Sequence, residues 1–288
     1  MGGMSKSSRH AIACPFCHAE RDVELWDVLN IDHNPELRAE ILQNRLNRVD
    51  CPSCGKAFRV DKPLFYRDPE QEIFIHYDPP TAERPLEAVF HDFEEAKKQL
   101  QSLLPADVPA PELHLVLNWN ELVERIFLLE EGLDEKIVEH IKYMIYKANP
   151  DRIAADAKNL LFDAEDSTDD QLRFIVQDRA TRKLEAQLDF ARADYEALFN
   201  LYSDDHADLL DQWFPGPYVN GRIRFLADRQ AETLDDPANN DPLPGAAPGG
   251  HGHDGGCGDD GCGDDDCDCG CGHEHDPDSS HPHPHGDA

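Results

Sequence analysis

"ACPFCH" at residues 13–18 and "DCPSCGKAF" at residues 50–58 carry one pattern, Cys-Pro-x-Cys, twice in the same chain. Two sulfurs on one tight turn reach a single ion without strain. Two such turns supply the four thiolates that a closed tetrahedral zinc site needs. Pro15 and Pro52 fix the backbone after the first Cys of each pair, and Gly55 permits the conformation a metal knuckle often requires. The 33 residues between the pairs are accounted for by an inserted helix. Two other readings stand beside this one. A lone Cys-x-x-Cys can run thiol–disulfide exchange, but such motifs open a helix in a βαβ setting, and neither pair is followed by helical spacing. Chance recurrence is the third. The spacing predicts Zn2+ held by Cys14, Cys17, Cys51 and Cys54, with His18 as a turn residue beside a complete thiolate set.

Outward from the pairs, residues 10–78 read as a compact mixed unit. "DVELWDVLNID" is strand-like, and "NPELRAEILQNRL" is helical, with Asn34 as cap and Pro35 at the first position. "AFRVDKPLFY" and "QEIFIHY" read as strands around the turn "RDPE". Residues 79–111 form a proline-bounded linker with one helix, in which Leu86, Val89, Phe90, Phe93, Leu100 and Leu104 make a stripe.

Residues 112–234 read as a helical α+β region. "NWNELVERIFLLEEG" is a helix with Asn120 as cap and Gly132 as stop, and the helix after it opens at Asp134 and closes before Pro150. Two or three antiparallel strands follow within residues 158–190, then helical spacing over 191–211. His76, His114 and His140 are scattered singly and read as satisfied or surface histidines. The fold class expected is α+β: a zinc-ribbon-like β unit with an inserted helix, a mainly helical α+β region, and a disordered acidic tail over 235–288.

The two "CPxC" motifs, "NPELRAEILQNRLNRVDCPSCGKAF" and "KPLFYRDPEQEIFIHYDPP" together resemble the CpXC-domain proteins. "ELVERIFLLEEGLDEKIVEHIKYMI" is similar to the helical region that often follows in them, so the likeness runs over about residues 11–225. The resemblance implies a ribbon-like, zinc-binding domain whose defining residues map to Cys14, Cys17, Cys51 and Cys54. His18 stands where a Gly commonly follows the first pair. The resemblance carries no activity with it.

The formal charge is −32 over 288 residues, unevenly placed. Residues 235–288 hold fourteen carboxylates and no Lys or Arg, while residues 1–67 hold ten basic and nine acidic side chains. A chain so acidic repels phosphate backbones, which argues against nucleic acid as a partner. Arg45, Arg48, Lys56 and Arg59 read as part of a solvated mixed-charge face. No apolar run approaches the ~20 residues of a membrane span. The start, "MGGMSKSSRHAIAC", lacks an apolar signal core, and nine cysteines then point to a reducing, cytoplasmic setting.

The tail repeats "GCGDD" and sets Cys257, Cys262, Cys267, Cys269 and Cys271 among His251, His253, His273, His275, His281, His283 and His285. Thiolate and imidazole at this density suit zinc, nickel or copper, which makes metal storage or delivery the alternative function. No P-loop, nucleophile elbow or H-E-x-x-H motif is present, and a zinc with four Cys ligands keeps no open position for water. The expectation is therefore a non-catalytic, zinc-bound module that meets protein partners, with thiol oxidoreduction as a lesser reading. Binding energy at such sites is largely folding energy, so loss of the ion is expected to unfold residues 10–78.

Overall fold

The structure is a computed structural model that describes residues 3–105, 107–204 and 206–235. Apart from Asp235, the expected tail of 235–288 lies outside the described residues.

The chain opens with strands β1 (Lys6–Ala13) and β2 (Glu20–Asn30), a long antiparallel hairpin whose turn is the first Cys pair. Helix α1 (Glu36–Leu42) follows, then the short hairpin β3 (Arg48–Asp50) and β4 (Ala57–Arg59), which turns through the second pair. Next come β5 (Leu64–Asp68), β6 (Ile73–Tyr77), helix α2 (Leu86–Ser102) and β7 (His114–Val116). The five strands order as β1-β2-β5-β6-β7, with parallel joins at β2–β5 and β6–β7.

Alternation along β6 decides what each face of this sheet meets. Ile73, Ile75 and Tyr77 are buried on one face, with Leu29, Leu64, Tyr66 and Val116. There they pack on Leu37 and Ile41 of α1 and on Leu122 and Ile126 of helix α3 (Trp119–Glu130). On the other face α2 lays Val89 and Phe93 against Leu115, and the His76 ring stacks on Phe93 at 5.9 Å.

Helix α4 (Glu135–Ala148) leads into an antiparallel three-stranded sheet of β8 (Lys158–Asp163), β9 (Gln171–Asp178) and β10 (Leu184–Ala191), in the order β10-β9-β8. Helices α5 (Arg192–Asp204), α6 (Ala207–Trp213) and α7 (Gly221–Asp235) complete the fold. One side of α4 meets Phe162, Leu172 and Phe174 of the sheet, and the other meets Phe225 of α7. Gly221 starts α7 directly against α4, because a Cβ there would run into the Glu139 carbonyl.

The α+β class is as expected, and most elements form where their spacing places them. Several details differ. Asn34 does not cap α1 through its side chain; Pro35 is the cap residue, and the Asn34 amide turns to Glu36. Asn118 rather than Asn120 caps α3, accepting from the Glu121 amide at 3.2 Å. The spacing Asn118-x-x-Glu121 makes a reciprocal cap possible, and Glu121 returns a carboxylate oxygen to the Leu117 amide. The helical run over 191–211 is two helices, α5 and α6, and α7 had no counterpart in the sequence reading.

Candidate metal centre

The two Cys pairs occupy matching loops. The last paired residues of the first hairpin are Ala13 and Glu20, and those of the second are Asp50 and Ala57. Each loop is thus six residues long, CPFCHA in one and CPSCGK in the other. Their hydrogen bonds repeat: the Cys14 amide donates to Ala19 and the His18 amide to Cys14, at 3.0 and 2.9 Å. The Cys51 amide donates to Lys56 and the Gly55 amide to Cys51, at 2.9 and 2.7 Å. His18 and Gly55 both sit in the left-handed region, with φ of +59° and +69°. His18 is a turn residue, as expected. The first Cys of each pair is buried; Cys17 is exposed and Cys54 half-buried.

Facing each other, the loops bring the four sulfurs within 4.8 Å of one another. Cys14 Sγ lies 3.8 Å from Cys54 Sγ, and Cys17 Sγ lies 3.6 Å from Cys51 Sγ. A disulfide needs about 2.05 Å, so these thiols are not joined in pairs. Four sulfurs at ~2.3 Å from a central ion stand about 3.8 Å apart along each tetrahedral edge. The observed separations match that edge, and the quartet can hold one metal ion.

The loops also prepare one thiolate. The Cys54 amide, then that of Ser53, donates to the Cys51 sulfur and brings its thiol down to about 6. Cys17 receives the Ala19 amide, yet desolvation and the neighbouring sulfurs push it up to about 12. The loop geometry thus favours the thiolate at Cys51 over that at Cys17.

Few contacts beyond the sulfurs join the hairpins. Arg21 donates to the Asp50 carbonyl at 2.5 Å, and Phe16 meets Phe58 edge-on at 6.4 Å, with Lys56 Nζ 4.6 Å from the Phe16 ring. Asn47 ties the second hairpin to β2 by exchanging hydrogen bonds with the Trp26 backbone at 2.7 and 3.1 Å. Arg45 pairs with Glu40 and Arg59 with Asp61, at 2.7 and 2.8 Å, while the Arg59 guanidinium lies 4.2 Å from the Trp119 ring centre.

The structure thus brings Cys14, Cys17, Cys51 and Cys54 together, and the Cys and His residues of the tail lie outside the described residues. It also contains buried charge that sequence reading missed. Lys142 lies between Glu124 and Glu139 at 2.6 and 2.7 Å, and Glu135 is ion-paired with Arg125 and hydrogen-bonded to His114 Nδ1. Glu135, Glu139 and Lys142 fall on one face of α4, a spacing that ordinarily marks a solvated helix face. Only the packing around α4 on both sides reveals them as interior. No helix among the described residues is long and apolar enough to cross a membrane.

No curated protein and no solved structure matches the chain. A family model described as CpXC protein matches residues 12–142, a stretch that takes in the end of β1, both cysteine loops, β2 to β7, α1 to α3 and the first half of α4. The match stops short of residue 225, where the likeness read from sequence ends. Residues 12–142 thus match the CpXC family model, and the four cysteines of the two motifs within them gather at one point.

Proposed function

We propose that Cys14, Cys17, Cys51 and Cys54 bind one Zn2+ as a structural ion, and that the protein is a non-catalytic module acting through protein contacts in the cytoplasm. The observation that supports it best is the sulfur geometry, two separations of 3.8 and 3.6 Å between loops of equal length. A borderline-soft ion with no geometric preference of its own suits four thiolates at tetrahedral spacing. All four positions are taken by protein, which favours a structural over a catalytic role. Lys56 and Arg21 beside the loops offset part of the −2 charge that a zinc with four thiolates carries. On this reading residues 10–78 are the ribbon-like unit, residues 79–111 connect it, and residues 112–234 form the α+β region.

Elemental mass spectrometry of the purified full-length protein tests this reading. One zinc per chain is expected, resistant to dialysis, and Cys51→Ser is expected to lose it. Full zinc retention in that variant, or reversible Cys disulfides in the native chain, would sink the proposal and revive thiol chemistry.

A second reading is metal storage or delivery through the tail, supported by five Cys and seven His within residues 235–288. Here the full chain takes up several further zinc, nickel or copper ions, held more weakly than the first. A chain ending at residue 235 should keep the first ion and none of the others. Equal stoichiometry in the two chains excludes the tail.

A further inference from the structure

A cavity of about 220 Å3 opens between the N-terminal end of α3, the strand β8 and the turn joining β9 to β10. Its size lies below the roughly 300–1,000 Å3 of sites for drug-sized ligands, so an occupant must be small. Its wall is polar and carries charge of both signs, and how those charges are used is what decides its chemistry.

The carboxylates are spoken for. Glu124 accepts from the Phe162 amide and from Lys142. Glu139 accepts from Lys142 at 2.7 Å and from the Gly221 amide at 2.8 Å. Glu121 accepts from the Leu117 amide at 2.9 Å, the Tyr218 hydroxyl at 2.6 Å and the Asn220 side chain at 3.3 Å. The guanidinium groups are not. Arg222 donates Nη1 to the Ala155 carbonyl at 3.1 Å, and Arg179 donates Nη1 to the Asp156 carbonyl at 2.8 Å. Among the described residues, neither these two nor Arg182 forms an ion pair with a carboxylate. Each guanidinium has five N–H donors, and all three arginines line the cavity.

The charges also crowd one another. Burial lowers the Arg222 pKa, and the Arg179 charge nearby lowers it further. Two like charges brought together are costly unless an anion joins them, and the Glu121 carboxylate offsets part of that cost at Arg222. The turn that presents Arg179 and Arg182 is firmly built: Asp178 accepts from the Ala180 and Thr181 amides at 3.1 and 2.8 Å, and the Arg179 amide is held by the Ala157 carbonyl at 2.9 Å.

We propose that this cavity binds a small molecule through a phosphate group, clasped by the guanidinium groups of Arg179, Arg182 and Arg222. A phosphate suits it better than a carboxylate because three forks offer more donors than two oxygens can accept, and guanidinium geometry matches phosphate two bonds at a time. The site is independent of the cysteine quartet, and neither requires the other.

The test uses the full-length, metal-loaded protein with inorganic phosphate as probe, followed by thermal unfolding and by 31P NMR titration. Phosphate is expected to raise the melting temperature saturably, beyond chloride and acetate at the same ionic strength. The double variant Arg179→Gln/Arg182→Gln alters two exposed side chains and should keep its circular dichroism and metal content. Its phosphate affinity is expected to fall about tenfold or more, the loss of at least one charge-assisted hydrogen bond. Arg222→Lys keeps the charge but removes the fork and should also weaken binding, whereas Arg9→Gln on β1 should not. No saturable effect of phosphate overturns the site. So do equal binding of acetate, unchanged affinity in the double variant, or an equal loss in Arg9→Gln.

Discussion

His18 and Gly55 stand at the same position of two matched loops, and the chain has solved one backbone requirement with two different residues. A left-handed residue with a side chain costs about 1–2 kcal/mol, and glycine escapes that cost. Nothing lies within 4 Å of a Cβ added at Gly55, so Gly55→Ala isolates the conformational term. It is expected to lower the stability of the metal-loaded protein by about 1 kcal/mol in urea titration. His18→Gly should raise it by a similar amount while leaving metal content unchanged. If His18→Gly releases the ion instead, the imidazole is a ligand and the four-thiolate account of the site is wrong. At this scale the gathering of the sulfurs was legible: Cys, Pro and Gly each have a narrow use in a tight turn, so their spacing pointed to the four cysteines that the structure brings together.

Helix α4 shows where legibility ends. Asp134 was readable as its cap, and the side chain does accept from the Ile137 amide at 3.0 Å. Its polar positions were not readable as interior, because a charge at helical spacing carries no mark of what packs over it. Burial works against the Lys142 charge, yet Glu124 and Glu139 outweigh that effect and raise its pKa. Replacing one partner leaves the others uncompensated. Lys142→Met is therefore expected to cost about 3–5 kcal/mol by chemical denaturation, and adding Glu124→Gln and Glu139→Gln should restore part of it. A loss below about 1 kcal/mol would mean the carboxylates take up protons or water and the pairing matters little. His114, at the start of β7 and against Glu135 of this helix, adds a pH dependence. Burial, then the Arg125 charge, brings its imidazole from 6.5 down to about 4. Between those values the unfolded chain binds a proton that the folded chain refuses. The contribution is present above pH 6.5 and is lost as pH falls toward 4. At pH 5 the deficit from this group is about 2 kcal/mol relative to pH 7. His114→Gln should flatten the stability profile over that interval by this amount. An unchanged slope would place the acid sensitivity elsewhere, with His140 and His76, whose pKa values burial also lowers, as the next positions to vary.

The molecule as a whole joins an edge where the four cysteines gather to a core built of apolar side chains from distant segments. Sequence spacing presents residues 10–78 as one unit that the ion holds together. The sheet places that boundary in a different light. Strand β7 pairs with β6 beyond the proline-rich stretch, and Leu122 and Ile126 of α3 share a core with Leu29, Tyr66 and Ile75. Pairing between segments so distant in sequence leaves no local trace in composition, which is why β7 and the parallel joins were not anticipated. The consequence concerns what metal removal does. Among the described residues the second hairpin pairs only with itself and β1 only with β2, so the cysteine loops lean on the sulfurs more than the central strands do. Local openings follow such differences in buried contact. Chelation of the ion is therefore expected to abolish hydrogen-exchange protection at the amides of Cys14, His18, Cys51 and Gly55. The amides of β5, β6 and α3 should keep theirs, along with the α4 layer. Simultaneous loss of protection across β5, β6 and α3 would instead make the ion the keystone of the whole sheet. Its binding energy would then be the folding energy of the family domain rather than of two loops at its edge.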